Sequence, residues 1–263
     1  TMVLAGGTDM LVQLRAGFIK PKLIVDLKQI KELRTVKREK GGFRIGAAVS
    51  GAELGANKAV CKAWPGVVEG LELIGSTQIQ GRASLGGNLC NGSPAADGVP
   101  GMIAAGATAK IVSAKGSITE KVERIVSGPG KTTLKKGEII VSFFLPARPK
   151  RSGDAYLRFI PRTEMDIAVV GAGVSLTVDT RGICTKARLA LGAVAPKALL
   201  VEKASKTLVG TTLDDDAMRA LANVASEACN PIDDKRGTIE YRTKVAGVLA
   251  CRAARIALQR ATA

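Results

Sequence analysis

Apolar positions along the chain change period several times, and each change marks an element. Val3 and Leu4 lead through Ala5-Gly6-Gly7-Thr8-Asp9 into Met10–Arg15, whose apolar spacing predicts a short helix ending at Gly17. Leu23–Leu27 reads as a second strand, and Phe43–Ala47 as a third after the Gly41-Gly42 turn. Ser50 followed by Glu53 is a capping box that opens a helix near Ala52, and Pro65 starts another that runs to Ile74. Residues Ala83 to Pro100 are rich in glycine, asparagine and proline and read as an ordered loop, after which Ile103 to Val112 pass from helix to strand. Ile139–Leu145 is a strand stopped by Pro146, and the basic stretch Ala147–Gly153 reads as a linker between two domains. Beyond it come three strand signals, Tyr156–Phe159, Ala168–Val178 and Ile183–Val194. Two helical periods follow, Asp214–Ala228 and Thr238–Arg260, so the second domain is read as a small sheet packed with helices.

The length of 263 residues and a hydrophobic content of 46% support two cores rather than one. No apolar run approaches the roughly 18 residues of a membrane span, and no signal pattern opens the chain, so a soluble, cytoplasmic protein is expected. The sequence contains no histidine, which removes Ser-His-Asp and Cys-His catalysis and every histidine-ligated metal site. Its five cysteines are widely separated, without the close pairs of zinc or iron–sulfur ligands. A net charge of +16 is compatible with a solvated basic surface, acidic partner subunits or an anionic cofactor, and composition does not separate these. A nucleic-acid-binding module is weighed on the same charge and set aside, because the cations are scattered and aromatic residues are only 3% of the chain.

Two glycine-rich segments carry the candidate chemistry. Ala5-Gly6-Gly7-Thr8-Asp9 lies between a strand and a helix, where backbone without side chains can approach a phosphate; a tight turn is the plain alternative. The second segment, Ser84-Leu85-Gly86-Gly87-Asn88-Leu89-Cys90-Asn91-Gly92-Ser93-Pro94-Ala95-Ala96-Asp97, interleaves hydroxyl and amide groups with glycines and ends on a carboxylate. The amides of Gly86 and Gly87 would meet pyrophosphate oxygens, Asn88 would add amide bonds, and Asp97 would accept from ribityl or ribose hydroxyls.

Leu4-Ala5-Gly6-Gly7-Thr8-Asp9-Met10-Leu11, then Gly75-Ser76-Thr77-Gln78-Ile79-Gln80-Gly81-Arg82 and the Ser84–Asp97 segment, together resemble the FAD-binding medium subunit of the molybdenum hydroxylases, the xanthine dehydrogenase and carbon monoxide dehydrogenase family. Gly137-Glu138-Ile139-Ile140 and the stretch from Tyr156 to Ala168 extend the resemblance over nearly the whole chain. It implies an α+β fold: a vanillyl-alcohol-oxidase (PCMH) type FAD-binding domain of two α+β subdomains over residues 1–148, then a small C-terminal sheet-plus-helices domain over 153–263. The family's strand and helix before the first glycine segment are not found, so an N-terminal piece is expected to be missing. By position, the resemblance places Ala5, Gly6, Gly7, Thr8 and Asp9 with Ser84, Leu85, Gly86, Gly87 and Asn88 at the FAD pyrophosphate, Asp97 at a flavin-side hydroxyl, and Leu4, Met10 and Asn91 among the cofactor-binding residues. Ile74 and Ile140 would pack near the ring system. Arg158 stands where the eukaryotic xanthine dehydrogenases have a lysine near the flavin, which keeps the charge with different donors. The resemblance further implies noncovalent FAD, a small subunit with 2Fe-2S clusters and a large molybdopterin subunit, arranged as a dimer of heterotrimers. A self-contained FAD oxidoreductase of the same fold is the rival reading.

Other segments imitate functional motifs. Gly128-Pro129-Gly130-Lys131-Thr132 resembles the end of a phosphate-binding loop but lacks its first glycine, and reads as a proline turn before a strand. Gly171-Ala172-Gly173 half-matches a dinucleotide fingerprint but continues as an alternating strand. Cys90 is read as packed under the second glycine segment rather than as a flavin attachment point, and Arg162, Glu164 and Asp166 as a solvated turn or an interface salt bridge.

Overall fold

A computed structural model describes residues 1–263. The chain begins with a β-α-β unit in which β1 (Met2–Leu4) and β2 (Ile24–Asp26) pair in parallel across α1 (Met10–Arg15). A five-stranded antiparallel sheet follows, in the order β3 (Val36–Glu39), β4 (Gly42–Gly46), β9 (Ile139–Leu145), β5 (Thr108–Ser113), β6 (Gly116–Lys121). Between β4 and β5 lie six helices: α2 (Gly51–Gly55), α3 (Lys58–Ala63), α4 (Pro65–Glu72), α5 (Thr77–Gln80), α6 (Leu85–Cys90) and α7 (Gly98–Ala105). A small hairpin of β7 (Val126–Gly128) and β8 (Lys131–Thr132) precedes β9. The last part is an antiparallel sheet of β10 (Ser152–Phe159), β11 (Val170–Val178), β12 (Cys184–Gly192) and β13 (Leu199–Leu200), with α8 (Glu202–Leu208), α9 (Asp215–Glu227) and α10 (Ile239–Thr262). The mixed helix-and-strand architecture agrees with the α+β expectation.

Local chemistry explains the boundaries. Ser50 accepts from the Glu53 amide while Glu53 accepts from the Ser50 amide, the reciprocal pair that the sequence predicts. Asp214 and Thr238 cap α9 and α10 in the same manner, each accepting from an amide three residues on. The structure corrects the reading of residues 83–100 as a loop: Ser84 accepts from the Gly87 amide and starts α6, and α7 begins at Gly98. Capping by one hydroxyl outweighed the glycine content that hid a helix of six residues. Also missed are β3 and β6, edge strands whose charged residues lack a clean period of two, and α3 and α8, which are short.

Two hydrophobic clusters organise the packing. One contains Ile45, Leu54, Leu71, Leu85, Met102, Ile103 and Phe143; the other contains Val174, Leu176, Leu189, Leu191, Leu221 and Ala250. Helix α7 is buried along its whole length and lies between them, meeting α4 on one side and β11 and β12 on the other. Glycines permit these approaches. A Cβ on Gly101 would come within 2.7 Å of the Gly66 carbonyl oxygen, and one on Gly173 within 2.7 Å of the Pro100 carbonyl oxygen. Gly173 therefore serves packing within a strand, in keeping with the rejection of the dinucleotide fingerprint. No helix is long and apolar enough to cross a membrane.

Candidate functional site

The fold brings the two glycine segments side by side. A Cβ on Gly6 would fall 1.9 Å from the Arg82 carbonyl oxygen, so the first segment rests on backbone just ahead of the second. Farther along, Gln13 of α1 donates to the side-chain oxygen of Asn91 at 3.2 Å, joining the other ends of both segments. Lys28, following β2, donates to the Ala5 carbonyl at 2.9 Å and steadies the first turn from behind. Gly7 has a φ of +81°, a conformation that L side chains rarely adopt.

The first segment has an unusual hydrogen-bond record. The amides of Gly6, Gly7, Thr8, Asp9 and Met10 donate to no backbone acceptor of the chain; the first amide of α1 to find one is that of Leu11, which reaches the Gly7 carbonyl. Four of these five residues are half-buried and Asp9 is exposed, so the segment lies where the fold meets solvent. Consecutive unpartnered N–H groups beside a left-handed glycine form a cradle for an anion, and a pyrophosphate matches it in charge and acceptor number.

The second segment contributes differently from the sequence reading. The Gly86 amide donates to the Ala47 carbonyl at 3.0 Å, and a Cβ there would meet that same oxygen at 2.6 Å. The reading of this amide as a pyrophosphate donor is therefore corrected: Gly86 is needed for close packing, and its N–H is already occupied. Gly87 is less confined, with its amide on Ser84 Oγ at 3.2 Å and only that oxygen within 4 Å of an added Cβ. Asn88 uses its side-chain oxygen to accept from the Gly98 amide at 3.0 Å, which leaves its NH2 group to other partners. Ser84 and Leu85 are buried, whereas Gly87, Asn88 and Asn91 are half-buried, and Asn91 accepts from Gln13 of the helix that follows the first segment. Cys90 keeps accessible surface at the end of α6, where Leu85 and Leu89 turn inward, yet burial pushes its thiol up to about 11.

Asp97 and Arg158 meet. The Arg158 guanidinium, buried to 3% exposure, donates to Asp97 Oδ2 at 2.9 Å and to the Leu73 carbonyl at 2.6 Å. Asp97 Oδ1 accepts from the Tyr156 hydroxyl at 2.8 Å. Burial pushes the Asp97 carboxyl up, while the Arg158 charge and these hydrogen bonds draw it down. The reading of Asp97 as a partner of a flavin-side hydroxyl thus concerns a carboxylate with one internal donor on each oxygen already. Ile74 is half-buried one residue beyond Leu73, and Ile140 lies in the core on β9, opposite Ile111.

Residues outside the sequence reading also shape this region: Gln13, Lys28, Tyr156, and Glu69, which accepts from the Tyr156 amide at 2.9 Å. For Tyr156 a signal was present, since it stands two residues before Arg158 on a strand and shares its face. Arg162 and Arg236 both donate to Asp166 at 3.0 Å, and these contacts hold its carboxyl down at about 2. That arrangement is a salt-bridged turn. No group of three or more His, Cys, Asp or Glu residues is placed to hold a metal ion.

Comparisons with known proteins show the family and the fold. Residues 1–148 match the family described as the FAD binding domain in molybdopterin dehydrogenase, and residues 155–257 match the CO dehydrogenase flavoprotein C-terminal domain. The chain is 32% identical to the carbon monoxide dehydrogenase medium chain of Afipia carboxidovorans, over 98% of this chain and 89% of the relative. It is 31% identical to the xanthine dehydrogenase FAD-binding subunit of Escherichia coli O157:H7, over 91% of this chain and 82% of the relative. Among solved structures, the reconstituted CO dehydrogenase from Oligotropha carboxidovorans superposes with a TM-score of 0.94 at 31% identity, covering 98% of this chain and 90% of that one.

Proposed function

The chain belongs to the family of FAD-binding domains of molybdopterin dehydrogenases, and from that premise we propose that it is the flavoprotein subunit of a heteromeric molybdenum hydroxylase. Electrons released at molybdenum in a large subunit pass through 2Fe-2S clusters of a small subunit to the FAD of this chain, and then to an external acceptor. The observation that carries the reading is the run of five amides at Gly6–Met10 without backbone acceptors, set against the half-buried Gly87, Asn88 and Asn91.

FAD, once bound, supplies the redox centre, and the protein supplies binding, orientation and electrostatics. In this reading the Gly6–Met10 amides and the Asn88 NH2 group take the pyrophosphate, with Leu4 and Ala5 shaping the turn and Ser84–Gly87 the facing wall. Ile74 contributes apolar surface beside the ring system, and Ile140 supports it from the core. Arg158 and Asp97 fix polar groups on the flavin side. The fuller assembly is a dimer of heterotrimers in the cytoplasm, and the chain's +16 charge suits acidic faces on its partners.

Affinity purification of the full chain from its native source tests the assembly. Two further chains should be recovered, one carrying a 2Fe-2S electron paramagnetic resonance signal after reduction and one carrying molybdenum. Recovery of this chain alone, with steady-state turnover of its own, contradicts the relay and supports a self-contained oxidoreductase.

A further inference from the structure

Strand β10 is an edge strand with two distinct faces. Ala155, Leu157 and Phe159 pack on the second hydrophobic cluster, whereas Asp154, Tyr156 and Arg158 each bond to the first domain. The polar face follows α4 from end to end. Asp154 accepts from the Gly66 amide at 2.8 Å, in the first turn of that helix, and Arg158 donates to the Leu73 carbonyl at 2.6 Å, at its last. An anion at the positive end and a cation at the negative end match the helix dipole. Between them, Glu69 of α4 accepts from the Tyr156 amide, so the helix and the strand are held in one register.

The Tyr156 hydroxyl is aimed past α4 at Asp97, the residue that precedes α7 and closes the second glycine segment. Its path depends on the absence of a side chain at Gly171 of β11, where a Cβ would lie 2.5 Å from the hydroxyl oxygen. The phenol is fully enclosed, and burial together with the Asp97 charge pushes its pKa well above the usual tyrosine value, so it stays a donor to the carboxylate. Asp97 therefore has its two oxygens assigned to two residues of the other domain. We infer that Tyr156 is a positioning residue for the flavin site: through its hydroxyl, in the space left by Gly171, the C-terminal domain sets the orientation of the Asp97 carboxylate and the start of α7. This rests on the reading of Asp97 as part of the FAD site, and it assigns to the second domain a share in cofactor binding.

A double-mutant cycle on the full chain, stripped of flavin and titrated with FAD, tests the inference. Tyr156→Phe removes one oxygen and keeps the ring, so the fold should persist with the apo-protein melting within a few degrees of the parent. Its FAD dissociation constant should rise about tenfold, the size expected for one hydrogen bond to a charged group. Asp97→Asn should weaken FAD by a similar factor, and adding Tyr156→Phe to it should cost little more, because the hydroxyl acts only through the carboxylate. Tyr156→Phe should also shift the flavin visible circular dichroism spectrum, and Gly171→Ala, approached from the opposite side of the contact, should reproduce that shift. Independent, additive effects of the two substitutions, or an FAD affinity within twofold of the parent in Tyr156→Phe, overturn the positioning role. Loss of FAD binding in Tyr156→Phe with no effect in Asp97→Asn does so too. A parent chain that takes up no FAD would instead overturn the reading of the site itself.

Discussion

Gly6, Gly86 and Gly87 belong to the same candidate site, yet a methyl group added at each meets different surroundings. At Gly6 it would strike the Arg82 carbonyl and at Gly86 the Ala47 carbonyl, both backbone atoms that cannot swing aside. Gly6→Ala and Gly86→Ala are therefore expected to lower stability by about 1–3 kcal/mol each, whether or not cofactor is present, as read from denaturant midpoints of the apo-protein. At Gly87 only the Ser84 hydroxyl is near, 3.2 Å away. Gly87→Val should leave the apo midpoint within about 1 kcal/mol of the parent and still abolish FAD retention, by filling space that the cofactor needs. Full flavin occupancy in Gly87→Val would show that the α6 side of the junction does not approach FAD. These distinctions were not legible in the sequence, where all three positions carry the same letter inside similar motifs. What separates them is tertiary: which carbonyl of a distant segment passes over each Cα.

Helix α4 illustrates what periodicity shows and what it leaves hidden. Pro65 and the apolar spacing of Val67, Val68 and Leu71 predict the helix and its buried side. They do not show that Asp154, eighty-eight residues away, accepts from the Gly66 amide, or that Arg148 donates to the same carboxylate at 2.8 Å. Burial pushes the Asp154 carboxyl up to about 6 in spite of the Arg148 charge. The folded state thus holds this proton more tightly than the unfolded chain does, where an aspartate titrates near about 3.9. The contribution of this group to stability is fully present below the unfolded value and is lost as pH rises through about 6. Asp154→Asn, which does not titrate, should gain stability relative to the parent as pH increases from about 4 to about 6, measured by urea unfolding across that range. Parallel curves for the two proteins would show that Asp154 ionises in the fold as it does in the unfolded chain. Helix α6, by contrast, is hidden in the sequence by its own glycines, although its Ser84 cap is visible there.

Over the whole chain, the sequence is most informative where local rules coincide with packing, as in the strands β9, β11 and β12 and the capped helices α9 and α10. It is least informative where distant segments are joined by polar contacts, and the candidate site is mainly of that kind. The first glycine segment was identified from its strand-turn-helix setting, but its five unpartnered amides became visible only when the partners of every N–H could be counted. Arg158 and Asp97 were placed in one site by resemblance, and their direct contact at 2.9 Å emerged from the fold. Relatives that span nearly the same length carry the same architecture, with a TM-score of 0.94 at 31% identity, so this polar framework is built on a shared backbone. In the proposed site these segments hold FAD without a covalent bond. The most direct measurement of this is the visible absorbance of the full chain after saturation with FAD and removal of the excess, followed by acid precipitation. One flavin per chain should be retained and then released entirely into the supernatant; a colourless chain, or flavin that remains with the precipitated protein, would contradict it.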